Sequence, residues 1–140
     1  ITAMHIEVRT SLPDNPLFID GNAEQLGKTI MSLLNNGMYA IAKKYGKKAY
    51  PAEIGLALES KDGQAVIRLY DNGVGIEQSI LDKIFDPFFT TKTTGEAAGI
   101  GLYLSKEIIL NHHGQIAVRS EKDELTEFTI TLPLWEEKSV

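Results

Sequence analysis

The stretch from Ala23 to Tyr45 constrains the fold more than any other. Its apolar residues Leu26, Ile30, Leu33, Leu34, Met38 and Ile41 recur at helical spacing, and at ~100° per residue they gather on one face. Asp20-Gly21-Asn22 supplies a turn and an N-cap before it, and Lys43-Lys44-Tyr45-Gly46 closes it with cations that suit the helix dipole and a glycine past the end. Alternating patterns flank this helix. Residues 4–10 read as a strand, Ser11 to Pro16 as a turn, and Leu17 to Ile19 as a short second strand. Ala52 to Ser60 and Ala65 to Tyr70 read as paired strands about the hairpin turn Lys61-Asp62-Gly63-Gln64. From Asp71 to Gly99 the pattern is irregular, with one short helix expected around Gln78 to Ile84. Ile100 to Asn111 is a second long helix, and Gln115 to Ser120 with Thr126 to Pro133 forms a last hairpin. This order predicts an α+β fold: a two-layer sandwich whose mixed, mainly antiparallel sheet carries its helices on one face.

The 140 residues suit a single domain spanning 1–140, with a hydrophobic share of 43% and a charged share of 24%. There is no cysteine, which excludes disulfides and thiolate metal sites. A formal charge of −5 argues against a nucleic-acid partner but leaves room for a small basic pocket. No apolar run approaches the ~20 residues of a membrane span, so the domain is not expected to be membrane-embedded. Residues 1–10 carry neither the basic head nor the apolar stretch of a signal peptide. The chain opens without methionine and runs at once into a strand pattern, so a piece of a longer protein is expected.

Four constellations could carry chemistry. Asp71-Asn72-Gly73-Val74-Gly75-Ile76 follows a strand directly. It reads either as an ordinary Asn-Gly turn or as a carboxylate at a strand end, able to accept a hydrogen bond from an exocyclic amine beside glycines that admit a flat ring. Gly95 to Leu102 brings glycines to the start of a helix, which serves either as a flexible connection or as a cradle of N–H groups for phosphate. Asn36 sits ~100° from the centre of the apolar face of the long helix, on a flank shared with Gln25, Thr29, Ser32, Ala40 and Lys43. Asn35 falls nearly opposite the core. A neutral carboxamide oxygen suits Mg²⁺ when phosphates supply the charge; the plain alternative is an amphipathic boundary. Finally, Ile84-Phe85-Asp86-Pro87-Phe88-Phe89-Thr90-Thr91-Lys92 puts three phenylalanines in a loop, either as a satellite apolar cluster with a solvated lysine or as the anchor of a lid whose Lys92 meets a phosphate.

Taken together, the order and spacing of these segments resemble the N, G1, F and G2 boxes of histidine kinase catalytic domains, part of the GHKL group with gyrase B subunits, MutL and heat-shock chaperones. The resemblance runs from about Ile6 to Leu134, and it implies a Bergerat-type ATP-binding fold. It implies Asn36 as Mg²⁺ ligand, and Asp71 on the adenine amine with Gly73 and Gly75 against the ring and Thr126 completing the base site, with Ile76 also among the nucleotide-binding residues. It implies backbone contacts to phosphate from Gly99, Ile100, Gly101 and Leu102, and an ATP lid holding Phe85, Phe89 and Lys92. The implied function is the ATP-binding catalytic domain of a cytoplasmic, two-component sensor kinase, in a parent protein either soluble or membrane-anchored. Its cofactors would be ATP and Mg²⁺. It would pass the γ-phosphoryl to a histidine on its own dimerisation domain and so act indirectly on a response regulator.

The chain departs from the pattern at Ser32, where the family usually has an asparagine, and at Ala97, where it has a glycine. Asp123, Glu124 and Leu125 also stand where glycines usually precede the threonine. His5 reads as a strand residue. His112 and His113 end a helix, where imidazolium suits the dipole, and neighbouring histidines on a short turn make a poor metal site. The phosphoacceptor is therefore expected upstream of Ile1, and the chain alone is expected to bind ATP without phosphorylating itself. Two further readings stay open: a GHKL ATPase, which would need a general base where Ser32 stands, and an anti-sigma-type serine kinase. A scaffold without nucleotide affinity is a third.

Overall fold

The computed structural model describes residues 5–45, 51–87, 89 and 101–136. Its elements are β1 (Ile6–Ser11), α1 (Ala23–Tyr45), β2 (Ala52–Lys61), β3 (Gln64–Asp71), α2 (Gln78–Leu81), α3 (Gly101–Asn111), β4 (Gln115–Glu121) and β5 (Leu125–Pro133). The strands form one sheet in the order β1-β2-β3-β5-β4. β1 joins β2 in parallel, and every other pair is antiparallel. α1 lies on β2 and β3, α3 lies on β4, and the two helices pack on each other. The fold is the expected two-layer α+β sandwich.

α1 begins where Asn22 accepts the Gln25 N–H on Oδ1 at 3.0 Å, an N-cap that satisfies one of the orphan donors of the first turn. Thr29, Leu33, Gly37, Ile41 and Tyr45 are its buried residues, spaced every fourth position along the face that meets the sheet. Two apolar clusters result. The larger joins Leu33 of α1 and Ile109 of α3 to Leu69, Phe128, Ile130 and Leu132 of the sheet, together with Ile84. The smaller joins Ile41 and Tyr45 to Ala52 and Ile54. Each buried aliphatic side chain contributes about 1.5–3 kcal/mol by leaving water. No helix of the described residues is long and apolar enough to cross a membrane.

Two expectations need correction. Leu17 to Ile19 does not form a strand. The segment follows Pro16, which has no N–H to give a ladder, and its described backbone bond is from Trp135 N–H to the Phe18 carbonyl at 2.7 Å. The helix expected from Gln78 to Ile84 stops at Leu81 and continues as turns. The Glu77 carboxylate gives its N-cap position no side-chain bond, being engaged by Lys122 instead.

Candidate functional site

Asp71 ends β3 and faces Thr126 of β5 across the antiparallel ladder, and Thr126 in turn faces Ser120 of β4. Three polar residues thus form one row across three strands, and all three are buried: Asp71 is 6% exposed, Ser120 3% and Thr126 4%. Asp71 Oδ1 accepts the Gly73 N–H at 2.9 Å, which leaves Oδ2, 3.4 Å from the place a Cβ on Gly37 of α1 would occupy. Burial pushes the Asp71 carboxyl up to about 6, against the opposing pull of the Gly73 N–H and the Lys44 charge.

Ser120 fixes the other half of the row. Its Oγ donates to the Leu125 carbonyl at 2.7 Å and accepts the Ile76 N–H at 2.8 Å. A hydroxyl has one hydrogen, so the 2.9 Å contact between Ser120 Oγ and Thr126 Oγ1 must be donated by Thr126. Thr126 is left with acceptor capacity, beside a carboxylate that can only accept when ionised.

Asp71 and Thr126 of this row line a cleft of about 290 Å³, with Ser120 behind them. Asn36, Tyr39, Ala40 and Lys43 of α1 form one wall, and Val74, Gly75, Ile76, Glu77 and Ile80 form the opposite one. Ile84, Phe89, Leu102 and Phe128 close the apolar end, and Lys122 stands at the rim. Lys122 pairs with Glu77 across the rim, which lowers the Glu77 carboxyl and raises the Lys122 ammonium. Among the described residues no group of three or more histidines, cysteines or acids gathers to hold a metal by itself.

The loop after β3 is held from three sides. The Asn72 side chain accepts the Glu53 N–H and donates to the Pro51 carbonyl, each at 2.8 Å. Tyr45 donates its hydroxyl to the Asn72 carbonyl at 2.9 Å. Val74 accepts the Asp123 N–H at 2.6 Å, and Lys44 donates to the Asp123 carbonyl at 2.5 Å. The tip of the β4–β5 hairpin is thereby tied both to the loop and to α1. Asp123 sits there at φ 66, a left-handed position that glycine favours.

Of the residues singled out in the sequence, Asn36, Asp71, Gly75, Ile76, Phe89, Leu102 and Thr126 meet in this cleft. Gly73 and Phe85 stand one layer behind it. A Cβ on Gly73 would lie 2.6 Å from the Ala40 carbonyl carbon, and one on Gly75 would lie 2.2 Å from the Glu121 oxygen. Both glycines therefore admit neighbouring backbone. Phe85 packs edge-on against Phe128 at 6.3 Å, under the Lys106 ammonium at 5.3 Å. Gly101 opens α3. Lys92, Gly99 and Ile100 lie outside the described residues, as does Ala97. Sequence reasoning missed Ser120, Lys122, Glu77 and Tyr39. Ser120 carried no local signal, because its partner Ile76 is 44 residues away.

Comparison with known proteins follows the same outline. A family model described as histidine kinase-, DNA gyrase B- and HSP90-like ATPase matches residues 21–136. The signal transduction histidine-protein kinase AtoS of Escherichia coli is 39% identical over 122 residues, covering 86% of this chain and 19% of that protein. The two-component sensor PprA of Pseudomonas aeruginosa is 33% identical over 129 residues, covering 92% of this chain and 14% of that protein. Sporulation kinase D of Bacillus subtilis is 34% identical over 123 residues, covering 88% and 22%. The chain thus spans under a quarter of the length of these relatives. Among solved structures, the catalytic domain of histidine kinase ThkA superposes with a TM-score of 0.74 at 25% identity, covering 91% of this chain and 78% of that one. The mycobacterial sensor histidine kinase MprB has the same fold, with a TM-score of 0.75 at 24% identity, covering 92% and 82%. The matched model covers most of the chain, and its boundaries enclose the whole cleft: this protein belongs to the histidine kinase-, DNA gyrase B- and HSP90-like ATPase family.

Proposed function

We propose that this chain is the ATP-binding catalytic unit of a two-component sensor histidine kinase, one that presents the γ-phosphoryl of Mg-ATP to a histidine on a separate dimerisation domain. The observation that carries the reading is the meeting of Asp71, Thr126 and Asn36 in one cleft that Leu102, at the start of α3, also lines. Asp71 Oδ2 and Thr126 Oγ1 are two acceptors, matched to the two hydrogens of an adenine amine. The guanine carbonyl at the same ring position would meet acceptors only and be rejected. Ile76, Ile80 and Phe128 offer apolar surface to the ring faces.

The phosphates would extend toward Asn36 and the N-terminus of α3. Leu102 and Gly101 sit there, and the proposal extends to Gly99, Ile100 and Lys92. Backbone N–H groups and the positive end of a helix dipole suit an anion at that place. Asn36 offers one neutral oxygen and no acidic cluster accompanies it among the described residues, a donor set that fits a metal carried in by its phosphates. Bound Mg²⁺ would neutralise charge on the triphosphate. The work of these residues is positioning and charge neutralisation, which is most of what phosphoryl transfer asks of a protein. Phe89 would root the lid, and transfer would reach a response regulator through the phosphohistidine.

The carboxylates on the described cleft wall are Asp71, occupied by Gly73, and Glu77, paired to Lys122. Ser32 stands one turn before Asn36 and offers no base for water, which favours a kinase over a self-sufficient ATPase. Calorimetric titration tests the reading: ATP should bind in preference to GTP, more tightly with Mg²⁺ present, with the Mg²⁺ effect lost in Asn36→Ala. Equal affinity for both nucleotides would overturn it.

A further inference from the structure

α1 and α3 run side by side and both line the cleft, and the start of α1 and the end of α3 meet at a single imidazole. Asn22 caps α1 with its side chain, and its carbonyl accepts the Leu26 N–H at 3.0 Å. Its own N–H precedes the helix and donates to Nε2 of His112 at 3.0 Å. The other ring nitrogen, Nδ1, lies 2.7 Å from the Ile108 carbonyl oxygen of α3. A carbonyl only accepts and a backbone N–H only donates, so the ring hydrogen sits on Nδ1 and Nε2 is a bare acceptor. His112 is therefore held as a neutral imidazole with both nitrogens used, in place of the imidazolium expected at a helix end. Gly21 leaves space for the ring: a Cβ there would stand 2.8 Å from His112 Cδ2.

We propose that His112 is a pH-responsive latch between α1 and α3. A second proton turns Nε2 into a donor facing the donor of Asn22, so the bond is lost and the first turn of α1 is released. The ring borders a cavity of about 320 Å³ whose other titratable groups are Asp20 before α1, His113 after α3 and Glu136 after β5. The two carboxylates give a released imidazolium somewhere to turn. The latch lies ~21 Å from Asn36 along α1 at 1.5 Å per residue, and its operation does not depend on what the cleft binds.

Nitrogen NMR with hydrogen exchange tests this on the chain as it stands. At about pH 7.5 the His112 ring shifts should place the hydrogen on Nδ1. Lowering the pH to about 5.5 should reduce the protection factors of the Gln25 and Leu26 amides about tenfold, the scale of one lost hydrogen bond. Amides of β3 and β5 should lose no protection, since protonation of Asp71 over the same range stabilises the fold as a whole. His112→Gln retains an acceptor for Asn22 and cannot titrate, so its protection should stay level. A ring hydrogen on Nε2 at the higher pH would overturn the latch. So would a pH dependence that persists in His112→Gln, since Asp20, His113 and Glu136 remain there. Should that variant fold poorly, the wild-type protein decides: the Asn22 amide shift must follow the His112 ring with one midpoint, and two different midpoints would contradict the proposal.

Discussion

Asp71 and Thr126 stand directly opposite each other on β3 and β5, both buried, with a main-chain donor from Gly73 on the first and a side-chain partner in Ser120 on the second. A buried carboxylate this close to a helix is costly, and the cost is measurable. The folded-state carboxyl is raised to about 6 from 3.8, so the folded protein holds the proton more tightly than the unfolded chain does. Stability from this group is greatest at low pH and is lost as pH rises through about 6. The full difference of roughly two pH units corresponds to about 3 kcal/mol. Asp71→Asn keeps an acceptor for the Gly73 N–H and removes the charge. It should melt several degrees higher than the wild type at pH 7.5 while binding ATP roughly 10- to 100-fold more weakly. Equal melting temperatures would mean that the carboxylate is not penalised by burial.

The same group sets a pH profile for binding. An ionised Asp71 offers the amine a charged acceptor, whereas a protonated one is a weaker, neutral acceptor that also carries a donor. From neutral pH down to about 5 the ionised fraction falls about tenfold, so ATP affinity should fall by up to the same factor in the wild type. It should stay nearly level in Asp71→Asn, measured by calorimetry at matched ionic strength.

Gly75 separates steric from conformational demands. It lies at φ 71 with the Glu121 backbone where a Cβ would go, whereas Gly63 lies at φ 78 with open space around it. Gly63→Ala should cost about 1 kcal/mol from backbone strain alone. Gly75→Ala should cost more than about 2 kcal/mol, because strain and overpacking add. Denaturant midpoints for the two variants check the ordering.

His113 occupies the position just past α3 at φ 63, with the Gly114 N–H bonded to the Ile109 carbonyl at 2.9 Å and the His113 N–H to Leu110 at 3.0 Å. That is the helix-ending motif in which glycine is favoured. His113→Gly should therefore stabilise the fold by about 1 kcal/mol, read as a raised denaturant midpoint.

How much of this was legible depended on the range of each interaction. The long helix announced itself, because Leu33 and Ile41 repeat at a period nothing else produces, and the β2–β3 hairpin did so through Asp62-Gly63. Leu17 to Ile19 looked like a strand because it is apolar, but a strand needs a ladder partner, and Phe18 found Trp135. Asp71 was legible as a carboxylate at a strand end. Its neighbour Thr126 was reached through family resemblance alone, since their pairing spans the loop, α3 and β4. Gly73 and Gly75 were read as room for a ring, and they admit the backbones of α1 and the β4–β5 turn. Ser120 and His112 each join near partners to one far along the chain, Ile76 and Asn22, and neither far partner leaves a local pattern in the sequence.

The chain by itself should bind ATP and carry no phosphohistidine after incubation with γ-labelled ATP. His5 is exposed and His113 lies at the end of α3, while both ring nitrogens of His112 are occupied. Acid-labile, base-stable label on this chain would show that a histidine within it accepts phosphate.

The most direct measurement is amide NMR of the chain as Mg-ATP is added. Gly73, Gly75, Ile76, Leu102 and Thr126 should shift together with one saturation curve, joined by the Asn36 side-chain amide, while β1 stays still. Shifts at the Asp71 end and the Asn36 end that saturate independently, or that appear at β1 instead, would contradict a single cleft that holds base and phosphates at once.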